Sequence, residues 1–489
     1  SYDVLDWFLT SEVEGIPFAW HDYPVNQLDG VQNNLPEFMV TQHPLDSEQR
    51  AEYYIARLGQ FDTKFGQLLE GLRLRESKGI IPPRFVVEKV LAEMRGFVTT
   101  PPRENILYTH FAQTVDDIDA LPPARAEDLE AQASAAIEAS VYPAYHTLIA
   151  YFEELLSKAT DNHGVWALPQ GDAYYDHRLQ VSTTTDMTAD EIHDLGLAEV
   201  ERIQGEMDAI LRDQGISEGT VAERMLALGR EPRFLYPDTQ AGRDEIIADF
   251  QRIIDEINAE MGDWFVTLPE GSVEVVPVPE FRQDGAPAAY YFPPSLDGSR
   301  PGRFFVNLRD PAEMPRFRMR TLAYHEAVPG HHFQSTIQSE LTGVPQFRRV
   351  LPFTAYGEGW GLYAERLAWE AGFQEDPYDN LGRLQDELFR AVRLVVDTGI
   401  HRKRWSREQA IDYMLDNTGI AETDVVVEIE RYFVLPGQAT AYKVGMIKLL
   451  ELRERARAAL GDAFDIRQFH ELVLGNGDLP LTLLEEQVD

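Results

Sequence analysis

The sequence predicts a mainly α-helical protein with one small antiparallel β-sheet. Apolar residues recur at three- and four-residue intervals through most of the 489 residues, the period of helices with one buried face. Only residues 271–308 alternate β-type side chains between Pro and Gly turns. Hydrophobic residues make up 44% of the chain, enough to bury a sizeable core.

The elements follow in order. Amphipathic runs are expected over 46–78, 82–98, 126–158 and 189–215, then over 241–265, 315–342, 357–372 and 381–405. The last are 406–417, 422–433 and 438–460, with two short helices before Asp489. Ser406 followed by Gln409 is a capping-box start. Within 271–308, the segments VEVVPVP, AAYYF and RFFVNL, separated by Pro, Gly and a DGSRPG turn, are read as strands. No repeat or low-complexity linker interrupts the chain. It is read as a single two-lobed unit: 1–265 mostly helical, 266–310 the β element, and 311–489 the helices with the densest motifs.

Composition excludes several function classes. Asp and Glu number 82 against 44 Lys and Arg, a formal net charge of −38. Nucleic acid is not an expected partner, because phosphate binding needs clustered Lys and Arg. The charge reads as a solvated acidic surface that also attracts cationic substrates. There is no cysteine, hence no disulfide and no thiolate metal ligand. No run of 18 apolar residues spans a membrane. The cytoplasm is the expected location, although a start at Ser1 rather than Met leaves room for a removed leader. The oligomeric state is not set by the sequence.

Residues 325–334 read HEAVPGHHFQ. In an HExxH zinc motif, two His lie at i and i+4 on one helical face and the Glu is general base. Here i+4 is Pro329, and the next imidazoles are His331 and His332. On a regular helix His331 would sit about 120° from the face of His325, and His332 about 10 Å along the axis. Zn–N bonds of about 2.0–2.1 Å allow neither. Pro329 removes a backbone donor and Gly330 accepts conformations that other residues avoid. Two residues looped out at Pro329-Gly330 would bring His331 to the i+4 place; His332 would need three. The spacing also fits a Pro-Gly turn between two helices with surface His.

From Tyr356 the chain reads YGEGWGLYAERLAWEAG. Helical zinc peptidases with two His commonly take a Glu from a second helix some two dozen residues downstream. Glu358 lies 27 residues after His331, flanked by Gly357 and Gly359, which permit close backbone approach. Glu365, at i+7 on the same face, reads as an ordinary solvated or ion-paired Glu.

The blocks HEAVPGHHFQ, EGWGLYAE, VDTGIH and RYFVLPGQATAYKVG, in this order, resemble a bacterial family catalogued as domain of unknown function 885. That family resembles the helical carboxypeptidase Taq class in fold, and more distantly angiotensin-converting enzyme and the thimet oligopeptidase class. The resemblance spans about Gly164 to Gly445. Dipeptidyl peptidase III is similar in having a His-to-His gap longer than HExxH. The resemblance implies a metallopeptidase-like body with its sheet beside an active-site cleft, and one zinc per chain on His325, His331 and Glu358. A fourth position would hold water, and Glu326 would take its proton.

The remaining blocks supply further candidates. Tyr442 is expected to donate to the developing oxyanion, as a Tyr or His does in related helical metallopeptidases. Arg431, Gln438, His401 and Tyr291 are expected at the substrate, with His332 and Asp397 supporting the site from behind. Asp397 and His401 form an i,i+4 pair that can hydrogen-bond; His401 also fits a core histidine. Lys443 is a second cation for a substrate carboxylate. Tyr290, Arg303 and Asn307 are candidates to line a sheet edge that aligns extended peptide, and the segment 164–179 forms the rim. The expected substrates are peptides or small amides. The alternatives are an amidase or esterase of small molecules, and an inactive helical scaffold that binds peptide.

Overall fold

A computed structural model describes residues 1–119, 121–161, 164–279, 283, 287–296, 298 and 300–489. They divide into two compact units, residues 17–171 and residues 1–16 with 172–489. The three-part division by element type given above is a partition of another kind.

In the 17–171 unit, helices Phe61–Ser77, Arg84–Phe97 and Tyr142–Leu156 pack through Phe65, Phe97 and Tyr145. The Tyr145 ring lies 5.0 Å from Phe65 and 4.5 Å from Phe97. The run expected over 46–78 is two helices, Glu48–Leu58 and Phe61–Ser77, parted at Gly59, a poor helix former. The run over 126–158 carries one π-helical turn, Ile137–Val141, ahead of Pro143, which has no N–H to continue the ladder.

The other unit is built on the helix Pro377–His401, along which Ala189–Asp213 packs. Helices Thr354–Glu370 and Ala441–Leu460 cross where two glycines meet. A Cβ on Gly359 would lie 2.5 Å from the Gly445 Cα, so only glycine lets the backbones come this close. Trp360, Tyr356, Tyr363 and Phe333 fill the core around that crossing. Ser406 and Gln409 form the expected capping box. Helices Gly171–Thr183 and Val221–Leu228 were not among those expected.

The sheet is mixed rather than antiparallel. β1 (Val273–Pro277), β2 (Ala289–Phe292) and β3 (Gly302–Val306) lie in the order β1–β3–β2. β3 pairs parallel to β1 and antiparallel to β2. The most buried strand takes the centre: Gly302, Phe304 and Val306 turn inward, and Phe304 packs on Phe250, ring centroids 5.0 Å apart. Asp297 and Ser299 of the DGSRPG turn lie outside the described residues. No helix among the described residues is long and apolar enough to cross a membrane.

Candidate metal centre

The oddity of HEAVPGHHFQ resolves as a corner between two helices. Arg316–Glu326 stops at Ala327 (φ −111°, ψ −96°), and His331–Glu340 begins four residues later. The break is therefore complete, not a two-residue bulge in one helix. Pro329 cannot donate, and a Cβ at Gly330 would collide with the carbonyl oxygens of His325 and Tyr324. Two hydrogen bonds fix the corner: Phe333 N donates to Ala327 O at 3.2 Å and Trp360 Nε1 to Pro329 O at 2.8 Å. His331 is thereby turned onto His325, the rings 4.7 Å apart and nearly perpendicular.

Glu358 meets both rings. Its Oε2 lies 3.6 Å from His325 Nε2 and 3.3 Å from His331 Nε2. Ligand atoms of these three residues all fall within 4.8 Å of one another, which no other His or carboxylate group among the described residues achieves. Tetrahedral zinc with bonds of about 2.0–2.1 Å holds its ligand atoms about 3.3 Å apart, so two imidazoles and a carboxylate at these separations fit the ion. The His325 ring lies against the Glu358 helix at Gly361, where a Cβ would stand 2.7 Å from its Cε1.

The outer nitrogen of His325 is held by a residue that the sequence reading set aside. His325 Nδ1 donates to Glu365 Oε1 at 2.7 Å, with both side chains almost wholly buried. Glu365 is thus a paired rather than a solvated carboxylate, and it orients the His325 imidazole. Burial alone would lower the His325 pKa, but hydrogen bonds to Glu358 and Glu365 push it up to about 10. Burial would raise Glu358; the His331 charge and hydrogen bonds from both imidazoles hold it well below the usual range instead. The Glu326 carboxylate, next to His325 and largely buried, makes no hydrogen bond or ion pair with any described residue.

The other candidates scatter. His332 points away: its Nε2 donates to Gly271 O at 3.0 Å, and its Nδ1 accepts from Tyr291 OH at 2.9 Å. Burial lowers its pKa to about 4, so it is neutral, and it pins the sheet to the His331 helix. Tyr291 is the other half of that pin. Arg431, Gln438 and Tyr442 do gather: Arg431 Nη2 donates to Gln438 Oε1 at 2.7 Å and to Tyr442 OH at 3.4 Å. Tyr442 packs on Leu362, one turn from Glu358 on the same helical face.

His401 does not face substrate. It is fully buried, donates to Tyr432 O at 3.0 Å and packs on Tyr175. Asp397 does not hydrogen-bond His401; it accepts from Tyr175 OH at 2.6 Å and Gly437 N at 3.1 Å. Lys443 is buried between Glu387 and Glu199, at 2.5 and 3.0 Å, and is not available to a substrate carboxylate. Tyr290 stacks on Phe305, and Asn307 donates to Gln283 O and Pro287 O, both structural positions. Arg303 lies 4.0 Å from Glu274.

Residues 1–488 match the model of a family described as "Bacterial protein of unknown function (DUF885)". The chain belongs to this family. Two similar solved structures are each described as a "putative lipoprotein". One, from Colwellia psychrerythraea, is 44% identical with a TM-score of 0.94, covering 96% of this chain and 80% of that one. The other, of unknown function and from Shewanella oneidensis, is 19% identical with a TM-score of 0.73, covering 99% and 86%, and shares the fold. Trypanosoma cruzi metallocarboxypeptidase 1 is 13% identical over 81% of this chain and 95% of its own, with a TM-score of 0.25, too low to support an argument. No curated protein matches the chain.

Proposed function

We propose that this member of the family is a zinc-dependent hydrolase that cleaves amide bonds, with peptides as substrates. The observation behind this reading is the convergence of His325, His331 and Glu358, with Glu326 beside them uncommitted to any other partner. Bound zinc would supply a Lewis acid and lower the pKa of water in its open position. Glu326 takes a proton from the attacking water and returns it to the leaving amine. Tyr442 donates to the developing oxyanion; its hydroxyl accepts from Arg431 and its own proton goes to no described residue. Gln438 and Arg431 hold the Tyr442 side of the site.

Purified protein should carry about one zinc per chain, and chelation should lower its Tm, since metal that binds only the folded state stabilises it. Glu326→Gln should keep zinc and lose nearly all turnover of a peptide library, because an amide cannot accept the proton. Glu358→Ala should weaken zinc binding itself. Protein that takes up no zinc, or two variants with the same zinc titration, refutes the assignment. The two lipoprotein relatives favour an exported location over the cytoplasm. Fractionation should find the protein with the envelope or outside the cell, and recovery from the cytosol alone would refute that placement.

A further inference from the structure

Behind the metal centre lies a carboxylate that the hydrolytic reading does not use. Asp478 sits in the turn between helices Ile466–Leu474 and Leu481–Val488 and is almost wholly buried. Its Oδ1 accepts from Gln334 Nε2 at 2.6 Å. Its Oδ2 accepts from the backbone N–H of Phe353 at 3.3 Å. Gln334 lies one turn after His331 on the same helix, and Phe353 is the N-cap of the helix that carries Glu358. One carboxylate thus clamps the starts of the two helices whose side chains meet at 3.3 Å.

The clamp is itself anchored. Arg348, in the segment joining the two helices, donates to the carbonyls of Asn476 and Asp478. Gln338, a turn beyond Gln334, donates to Arg348 O and Leu351 O, each at 3.2 Å. Tyr356 OH, on the Glu358 helix, donates to Val473 O at 2.6 Å just before the Asp478 turn. Burial pushes the Asp478 carboxyl up to about 7 against the donors around it, so the fold holds an unfavourable group there. A carboxylate offers two acceptor oxygens that can face two helices at once.

We propose that Asp478 is a positioning residue that sets the His331–Glu358 separation by tying the two ligand-bearing helices together. This rests on the metal reading above. Such a residue acts on ligand geometry, so its loss should appear in metal affinity beyond any loss in fold stability.

The test is a zinc titration against a chromophoric chelator, with the absorption spectrum of the cobalt(II)-loaded protein as a geometric readout and the Tm of the metal-free protein as a control. Asp478→Ala should bind zinc about tenfold more weakly, the low end for groups that orient ligands from outside. Its cobalt bands should shift or weaken. Asp478→Asn keeps one acceptor for Phe353 and can pair with a flipped Gln334 amide, so it should restore most of the affinity. If Asp478→Ala does not fold, Gln334→Ala, which removes only one arm, should show the same loss. Wild-type protein that takes up no zinc overturns the metal reading and this inference with it. Wild-type protein that binds zinc, with variants of lower Tm but unchanged affinity and cobalt spectrum, overturns this inference alone.

Discussion

Removing the Glu365 carboxylate measures how far the proposed metal centre depends on a residue outside its ligand set. Glu365 accepts the His325 Nδ1 proton at 2.7 Å in a site only 2–3% exposed. Glu365→Ala leaves that N–H without a partner in a dry interior, which costs about 1–3 kcal/mol. It also frees the imidazole to turn or to change tautomer. Outer groups that orient ligand histidines typically contribute about 10–100-fold to metal affinity, or about 1.4–2.7 kcal/mol. The two routes agree, so Glu365→Ala should weaken zinc binding by one to two orders of magnitude. Glu365→Gln keeps an acceptor but loses the charge, and a neutral hydrogen bond contributes about half as much as a charged one. Its loss should be only a few-fold. Competition with a chromophoric chelator at fixed pH reads both constants. An Ala variant within twofold of wild type, or a Gln variant weaker than Ala, would show that Glu365 does not orient His325.

Gly361→Ala places a methyl 2.7 Å from the His325 ring, so zinc affinity should fall steeply while circular dichroism stays helical; unchanged affinity would mean the ring lies elsewhere. His332→Ala should retain zinc but release the sheet from the His331 helix, making residues near β2 sensitive to protease, and loss of zinc would place His332 at the metal. The buried Asp397 carboxyl titrates near 7 in the fold, against about 3.9 when unfolded. The folded chain therefore holds the extra proton between those values. The contribution is full below about pH 3.9 and is lost as pH rises through 7, roughly 4 kcal/mol at 1.36 kcal/mol per unit. The Tm of Asp397→Asn relative to wild type should climb from pH 4 to 7, and a flat or falling difference would contradict the burial of this charge.

What could be read in advance was local. The helix runs follow from apolar spacing, and the corner at 327–330 follows from a proline and a glycine between two histidines. The misreadings involve charged residues whose partners are distant in sequence. Glu365 at i+7 from Glu358 looks the same whether it faces water or a buried imidazole, and only packing against the His325 helix decides which. The helix Pro377–His401 is buried nearly all round although it carries Arg383, Asp386, Glu387 and Arg393. Arg383 pairs with Glu387 one turn on, and the rest are matched from other helices, Glu387 by Lys443 and Arg202 for example, so its ionisable residues do not mark a solvated face. The same effect removes His401 and Lys443 from the substrate list. The parallel pairing of β1 and β3 was hidden for a related reason: strand order is a choice among distant partners.

Side-chain chemistry alone does not make this centre. Two imidazoles and a carboxylate converge because three stretches of backbone come closer than ordinary residues allow. At Gly330 the chain turns against the carbonyls of the helix it has just left; at Gly361 the Glu358 helix receives an imidazole against its backbone. At the Gly359–Gly445 crossing, the helix with Tyr442 approaches the one with Glu358. A methyl group at any of these points separates groups without changing their chemistry. Ligand substitutions and glycine substitutions should therefore fail differently. Removing a ligand deletes a donor and leaves the remaining geometry intact. Adding a methyl keeps every donor and spoils the distances, so cobalt loaded into such a variant should show an altered band pattern with all three ligand residues still present.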